Sequence, residues 1–248
     1  IMSNWNIAKQ YHQNSRHDYH RSAPGPGYMD WENQPKPFRH YDGAEIIKLN
    51  KVSINQGPLF REALQPENIS PTPFTFATLS QLFFDSLAIS AWKSFKGSKW
   101  ALRVNPSSGN LHPTEGYLIC GPLEGLSNSS SISHYCPKTH GLEIRTIFSN
   151  HTWEKMGLPE NTFFIGLSSI YWREAWKYGL RAFRYCHHDM GHALAAINVA
   201  SSVLGWKTQL MDHFGSEELE VIMGLHKKNE EEIEVPNCMV AINVPENV

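Results

Sequence analysis

Apolar positions recur in several distinct rhythms along this chain, and each rhythm implies an element. Leu79, Leu82, Phe83, Leu87 and Trp92 fall three to five residues apart, which predicts a helix over 75–93 with one apolar face. A longer helix is predicted from about 183 to 204, where Ala193, Leu194, Ala196, Ile197, Ala200, Val203 and Leu204 make a broad apolar surface. The small residues Gly191, Ala193, Ala195, Ala196, Ala200, Ser201 and Ser202 would let another helix approach it closely, and Gly205 supplies a stop. The run Phe163-Phe164-Ile165-Gly166-Leu167-Ser168 is nearly continuous and apolar, the pattern of a strand buried on both faces. Leu142 to Ile147 alternates apolar with polar residues and reads as a strand, as do 116–120 and 237–244. Short helices are predicted over 4–13 and 151–156. Another is capped by Ser216, runs through Met223, carries Glu218 and Glu220 near its positive end, and stops at Gly224. Residues 50–74 read as an irregular connection, and the Ser- and Asn-rich stretch 123–140 as an exposed loop. Helices and strands intermingle without strict βαβ alternation, so the class is α+β.

The first fifty residues follow none of these rhythms. They hold Trp5, Tyr11, Tyr19, Tyr28, Trp31, Phe38 and Tyr41, too many rings for a disordered tail. Ala23-Pro24-Gly25-Pro26-Gly27 and Gln34-Pro35-Lys36-Pro37 break any long helix. The expected division is an extended aromatic arm over 1–50, pinned to the body by its rings, and a main domain over 51–248. Composition adds exclusions. The 248 residues are 41% hydrophobic with a net charge of -2, ordinary for a soluble globular protein. The cations are scattered, which argues against a nucleic-acid partner. No apolar run approaches the ~18 residues of a membrane span, and no signal peptide is apparent. Cys120, Cys136, Cys186 and Cys238 form no C-x-x-C pair, as in a reduced, cytoplasmic protein.

Candidate chemistry lies in three places. The stretch from Arg103 to Tyr117 packs two prolines, two glycines, two serines and two asparagines behind one arginine, then enters an apolar strand. A turn so rich in hydrogen-bonding groups suits a ligand-binding loop, or simply a well-capped surface turn. His188 and His192 share one helix face and could chelate zinc, with Asp189 beside them. The acid is not the longer Glu, no third ligand stands at a recognised spacing, and Gly191 weakens the helix, so no metal is assigned. The segment 172–185 sets Arg173, Lys177, Arg181 and Arg184 among five aromatics. Such a cluster serves either cation–ring packing or a planar or anionic ligand, and a Lys-Tyr pair can serve acid/base chemistry. G-x-G-x-x-G, Walker and G-x-S-x-G motifs are absent from the sequence.

Two signatures resemble a known family. Arg103-x-x-Pro106-Ser107-Ser108-Gly109-Asn110-Leu111-His112-Pro113-Thr114-Glu115-Gly116-Tyr117 resembles the flavin-binding loop of the nitroreductase superfamily, in its SagB-type dehydrogenase branch. Lys177-Tyr178-Gly179-x-Arg181-Ala182-x-Arg184-Tyr185, followed by Asp189-x-Gly191-His192, resembles that branch's second signature. Leu210-Met211-Asp212-His213-Phe214 looks like the family's turn beside the flavin, and Asp30-Trp31-x-Asn33-Gln34-Pro35-x-Pro37-Phe38 resembles the N-terminal region of tandem-domain members.

The resemblance implies an FMN-dependent oxidoreductase with the nitroreductase fold: a central, mainly antiparallel sheet, flanking helices and a long dimer-core helix at 183–204. By position, Arg103, Pro106, Ser107, Ser108 and Asn110 would form the flavin loop, and Asp212 and His213 would approach flavin N5. Lys177 and Tyr178 would be the candidate base and acid, acting on an azoline-bearing peptide, a nitroaromatic or a quinone. The partner would be a second copy or a tandem half. The family's early Arg-Arg-Ser-x-Arg phosphate grip is missing; Arg16 in Asn14-Ser15-Arg16-His17 and Arg21 in His20-Arg21-Ser22 are the nearest substitutes. Three explanations remain open: other cations hold the phosphate, the chain is half of a tandem protein, or flavin binding is weak. The missing phosphate grip also motivates an alternative, a flavin-free binding or dimerisation subunit.

Overall fold

The computed structural model describes residues 4–50, 52, 57–225 and 232–245. Its centre is a seven-stranded, wholly antiparallel sheet. In chain order the strands are β1 (Ile46–Lys48), β4 (Thr114–Cys120), β5 (Ser130–Cys136), β6 (Gly141–Phe148), β7 (Thr162–Ser169), β8 (Lys207–Leu210) and β9 (Val235–Asn243). Across the sheet they run β1-β6-β5-β4-β7-β9-β8. A separate hairpin joins β2 (Ile89–Phe95) to β3 (Ser98–Arg103).

Both faces of the sheet are covered, so its middle strands are buried throughout, as the apolar run at 163–168 requires. One face carries Leu118, Cys120, Tyr135, Leu142, Phe163, Ile165, Leu167, Val240 and Ile242. Two helices lie on it, α3 (Phe76–Ser86) through Leu79, Leu82 and Phe83, and α6 (Ala182–Val203) through Ala193, Ile197 and Ala200. The small side chains of α6 allow that close approach. Gly205 ends the helix at φ +71°, where a Cβ would lie 2.8 Å from the Ile69 carbonyl oxygen. The other face carries Tyr117, Ile119, Phe164 and Met239 under Tyr41 and α7 (Ser216–Ile222), which contributes Leu219.

Three expectations need correction, and one strand has no counterpart among the predicted elements. The 123–140 stretch contains β5, an inner strand. Its serines resemble turn residues in composition, yet Ser130, Ser131 and Ser133 are fully buried between β4 and β6. The helix predicted over 75–93 starts as expected, with the Thr75 hydroxyl accepting from Thr78 N at 3.2 Å, but stops at Ser86. Trp92 sits on the β2–β3 hairpin instead, whose turn is Lys96-Gly97 at φ 47° and 85°. Strand β2 is exposed along nearly its whole length, and so has no burial rhythm to betray it; only the end of β3, at Ala101 and Arg103, is buried. Ser216 is the first residue of α7 rather than its cap; Gly215 takes the cap position and donates its N–H to Glu218 at 2.7 Å. The polar segment Lys207–Leu210 is an edge strand, needing no apolar alternation.

The N-terminal segment begins with α1 (Asn4–Ser15), slightly longer than expected. Its contacts run to α5 (Tyr171–Tyr178) and α6. Tyr11 donates to the Leu180 carbonyl at 3.0 Å and accepts from Arg184 N at 3.0 Å. Trp176 donates to the Asp30 carbonyl at 2.6 Å and packs on Trp31 at 5.3 Å. The same segment supplies the edge strand β1. The two remaining short helices are α2 (Phe60–Ala63) and α4 (Asn150–Glu154). The four cysteines are free. Among the described residues no helix is long and apolar enough to cross a membrane.

Candidate active site

The loop between β3 and β4 takes its shape from three left-handed backbone positions. Gly109, Asn110 and His112 all have positive φ, at 62°, 61° and 50°. Glycine occupies this region freely and Asn tolerates it; a left-handed His needs its surroundings to hold it. They do. Asn110 Nδ2 donates to the Ala101 carbonyl at 2.9 Å, and His112 N donates to Ser107 Oγ at 2.8 Å. Burial, followed by the nearby Arg103 charge, drives the His112 imidazole down to about 3, so it stays neutral at physiological pH.

Helices α5 and α6 close on this loop from one side. The Ser108 amide donates to both Asp189 carboxylate oxygens at 3.0 and 3.2 Å, and its hydroxyl donates to Oδ1 at 3.2 Å. Lys177 and Tyr178, at the end of α5, lie over Gly109. A Cβ built there would fall 2.6 Å from Tyr178 Oη and 3.0 Å from Lys177 Nζ. Gly109 is itself exposed, so its bare backbone faces outward beneath a potential acid and a potential base. Burial, and next the Glu174 charge, raises Tyr178 above the usual phenol value, which keeps it a proton donor at neutral pH. Gly109→Ala is expected to displace both side-chain ends and to add left-handed strain of about 1–2 kcal/mol. A thermal unfolding comparison with the more tolerant Gly109→Asn separates strain from displacement.

The loop is braced from below by a buried chain of charges on the second face of the sheet. Arg173 is fully buried. It grips both Glu232 oxygens at 3.0 and 2.8 Å, Glu115 at 2.8 Å and the His112 carbonyl at 2.9 Å. Glu115 in turn meets His134 at 3.0 Å, and His134 meets Glu143 at 2.8 Å. Burial opposes charge on both Glu115 and His134, but the carboxylates on either side raise His134, and His134 and Arg173 together hold Glu115 down at about 2. Tyr117 extends the system to Glu234 at 2.7 Å and Tyr41 at 2.6 Å. A hollow of about 250 Å³ opens beside Arg39, Arg145 and Glu234. Its walls mix cations with four glutamates and do not reach the 106–113 loop.

The residues singled out in the sequence thus divide. Ser107, Ser108, Asn110, Lys177 and Tyr178 gather around Gly109. Pro106 is exposed at the loop's outer edge. Arg103 is buried, donating to the Thr114 carbonyl at 3.1 Å and the Pro37 carbonyl at 2.6 Å, a brace between arm and strand. Asp212 and His213 are exposed past β8, at the end of the sheet where β4 begins but three strands away. Arg16 is exposed just after α1. Of the four cations in 172–185, Arg181 stacks on Tyr178 and Tyr185 at 5.3 and 5.6 Å, and Arg184 holds Ser15 at 3.0 Å. His188 and His192 are both exposed on α6, and among the described residues no group of three or more His, Cys, Asp or Glu side chains is placed to hold a metal ion. Glu115, His134, Glu143, Arg173, Glu174 and Asp189 escaped notice as a supporting set. Only the presence of Glu115 and Asp189 inside the two signatures hinted at them.

No family model matches the chain. A protein of Methanocaldococcus jannaschii named "putative nitroreductase" is 25% identical over 187 residues, covering 72% of this chain and 85% of that protein. The crystal structure of a "putative nitroreductase" from Anabaena variabilis superposes with a TM-score of 0.71 at 24% identity. It covers 95% of this chain, which spans only 46% of that longer one. A second "putative nitroreductase" structure, from Ralstonia eutropha, gives 0.60 at 15% identity over 91% of this chain and 98% of that one. The Escherichia coli microcin synthetase McbBCD complex, with truncated pro-MccB17 bound, gives 0.55 at 14% identity over 100% of this chain and 85% of that one. The chain has the nitroreductase fold and is nitroreductase-like in sequence.

Proposed function

We propose that this protein is an FMN-dependent oxidoreductase of the SagB-like kind, with its reacting centre over Gly109. The observation that carries the reading is the meeting of two distant signatures at one point, Lys177 and Tyr178 above the bare Gly109 backbone. The bare crest lets Tyr178 Oη and Lys177 Nζ approach the loop backbone itself. A flavin bound at that end would meet the hydrogen-bonding groups of the loop together with a potential acid and a potential base. Bound FMN would supply two-electron, hydride-type chemistry at N5. Tyr178 would hold a proton for a substrate heteroatom, Lys177 would exchange one with the substrate, and Asp189 would keep Ser107 and Ser108 in place beneath them. Arg16 would contribute charge toward the phosphate, and Asp212 and His213 would complete the far side.

The exposed face of α6, with Gly191, His192, Ala195 and Asn198, would pack against a second copy or a tandem half. The substrate would be a peptide-borne azoline ring, a nitroaromatic or a quinone. The likeness to a synthetase complex that holds a pro-peptide favours the peptide class. Reconstitution tests the cofactor: purified protein incubated with FMN and desalted should keep the visible spectrum of oxidised flavin at near-stoichiometric amount. Protein that stays colourless would overturn the proposal.

A further inference from the structure

Glu174 and Asp189 face each other across the contact of α5 with α6, directly under the loop. Glu174 is fully buried, and neither of its carboxylate oxygens has a hydrogen-bond partner of sound geometry. Asp189 is also buried, and its charge is spent on the Ser108 amide and hydroxyl. Two carboxylates in this position cannot both be ionised without a counter-charge between them. The groups facing the pair are Lys177 on α5, Tyr178 beyond it, Cys186 and His192 on α6, and the Ser107 hydroxyl from the loop. Lys177 acts from the helix edge and the others carry no buried positive charge onto Glu174, whereas Arg173 is turned away to Glu115 and Glu232.

We propose that Glu174 and Asp189 share a single proton, so that Glu174 stays neutral, Asp189 stays charged, and this one buried negative charge fixes the Ser107–Ser108 turn beneath Lys177 and Tyr178. The proposal deepens the flavin reading by naming the device that positions the loop, and its loop-binding consequence rests on that reading. Burial and the neighbouring Asp189 raise Glu174 to about 9, in line with this geometry. An acid raised on folding takes up a proton as the chain folds. Its contribution is therefore fully present below 4.5, the ordinary value, and is lost as pH climbs through about 9. Above that, a second buried carboxylate repels Asp189 and loosens the turn.

Three readouts decide it, comparing wild type with Glu174→Gln, which mimics the neutral acid. At neutral pH the wild type should take up about one proton more on folding than the variant, read from the pH dependence of the unfolding midpoint. Above about pH 9 the 106–112 segment of the wild type should exchange its amide hydrogens faster than that of the variant. Should Glu174→Gln not fold, the infrared carbonyl band of a protonated carboxyl in wild-type protein at pH 8 serves instead. Equal proton uptake with equal exchange, or absence of the band, overturns the proposal. FMN binding is measured alongside. If no FMN binds at any pH, the flavin reading fails, while proton uptake and exchange still decide the pair.

Discussion

Replacing Lys177 with alanine is expected to lower kcat by about 10²- to 10⁴-fold with FMN still bound, the range in which a positioned proton-transfer group contributes. Lys177 stands one helical turn after Glu174, and its amine hangs over Gly109 without any ion pair among the described residues. Its neighbours are the Gly109 crest and the Tyr178 ring, 5.6 Å from its amine. A loss confined to turnover, with KM and the flavin spectrum little changed, therefore marks a group acting in the chemical step. If Lys177→Ala strips the flavin instead, its amine is a cofactor contact and the proton exchange belongs to Tyr178. Tyr178→Phe then becomes the informative variant, since it removes the hydroxyl while keeping the ring that Arg181 stacks on.

The second large effect falls on the fold. Arg173→Ala is expected to destabilise the protein by about 3–5 kcal/mol, because it strands partners that burial has already removed from water. Glu115 would lose its cation while still bonded to His134, Glu232 would lose a two-pronged partner, and the left-handed His112 would lose the donor on its carbonyl. The loss should show as a fall in unfolding midpoint of roughly 10 °C or more. A shift of under one or two degrees would mean the charges relax into water. The network also sets acid behaviour. Glu115, held at about 2, contributes stability that is complete above its ordinary 4.5 and disappears as pH falls through about 2. Glu115→Gln should therefore flatten the acid limb of the stability profile.

What was legible in the sequence was mostly local. Gly205, the apolar run at 163–168 and the small residues of the long helix each carry their structural reason on their own side chains. The loop from 103 to 117 was legible as a special turn for the same reason, since Pro, Gly, Ser and Asn restrict backbone wherever they stand. What was hidden depends on neighbours. Ser131 and Ser133 look like turn residues until β4 and β6 flank them. Arg103 looks like a ligand contact until Pro37 and Thr114 take its guanidinium. Asp189 stands between two histidines in the sequence, yet its partner is Ser108, brought in by the loop between β3 and β4. Lys177 and Gly109 lie in separate signatures, and the packing of α5 on the loop brings them to one point.

That point is best tested by a crystal structure of the protein grown with FMN. The isoalloxazine ring is expected against the backbone of 107–110, with Lys177 and Tyr178 on its reacting side and Asp189 still bonded to Ser108. Flavin bound elsewhere on the chain, or density at Gly109 filled only by water at saturating FMN, would contradict it.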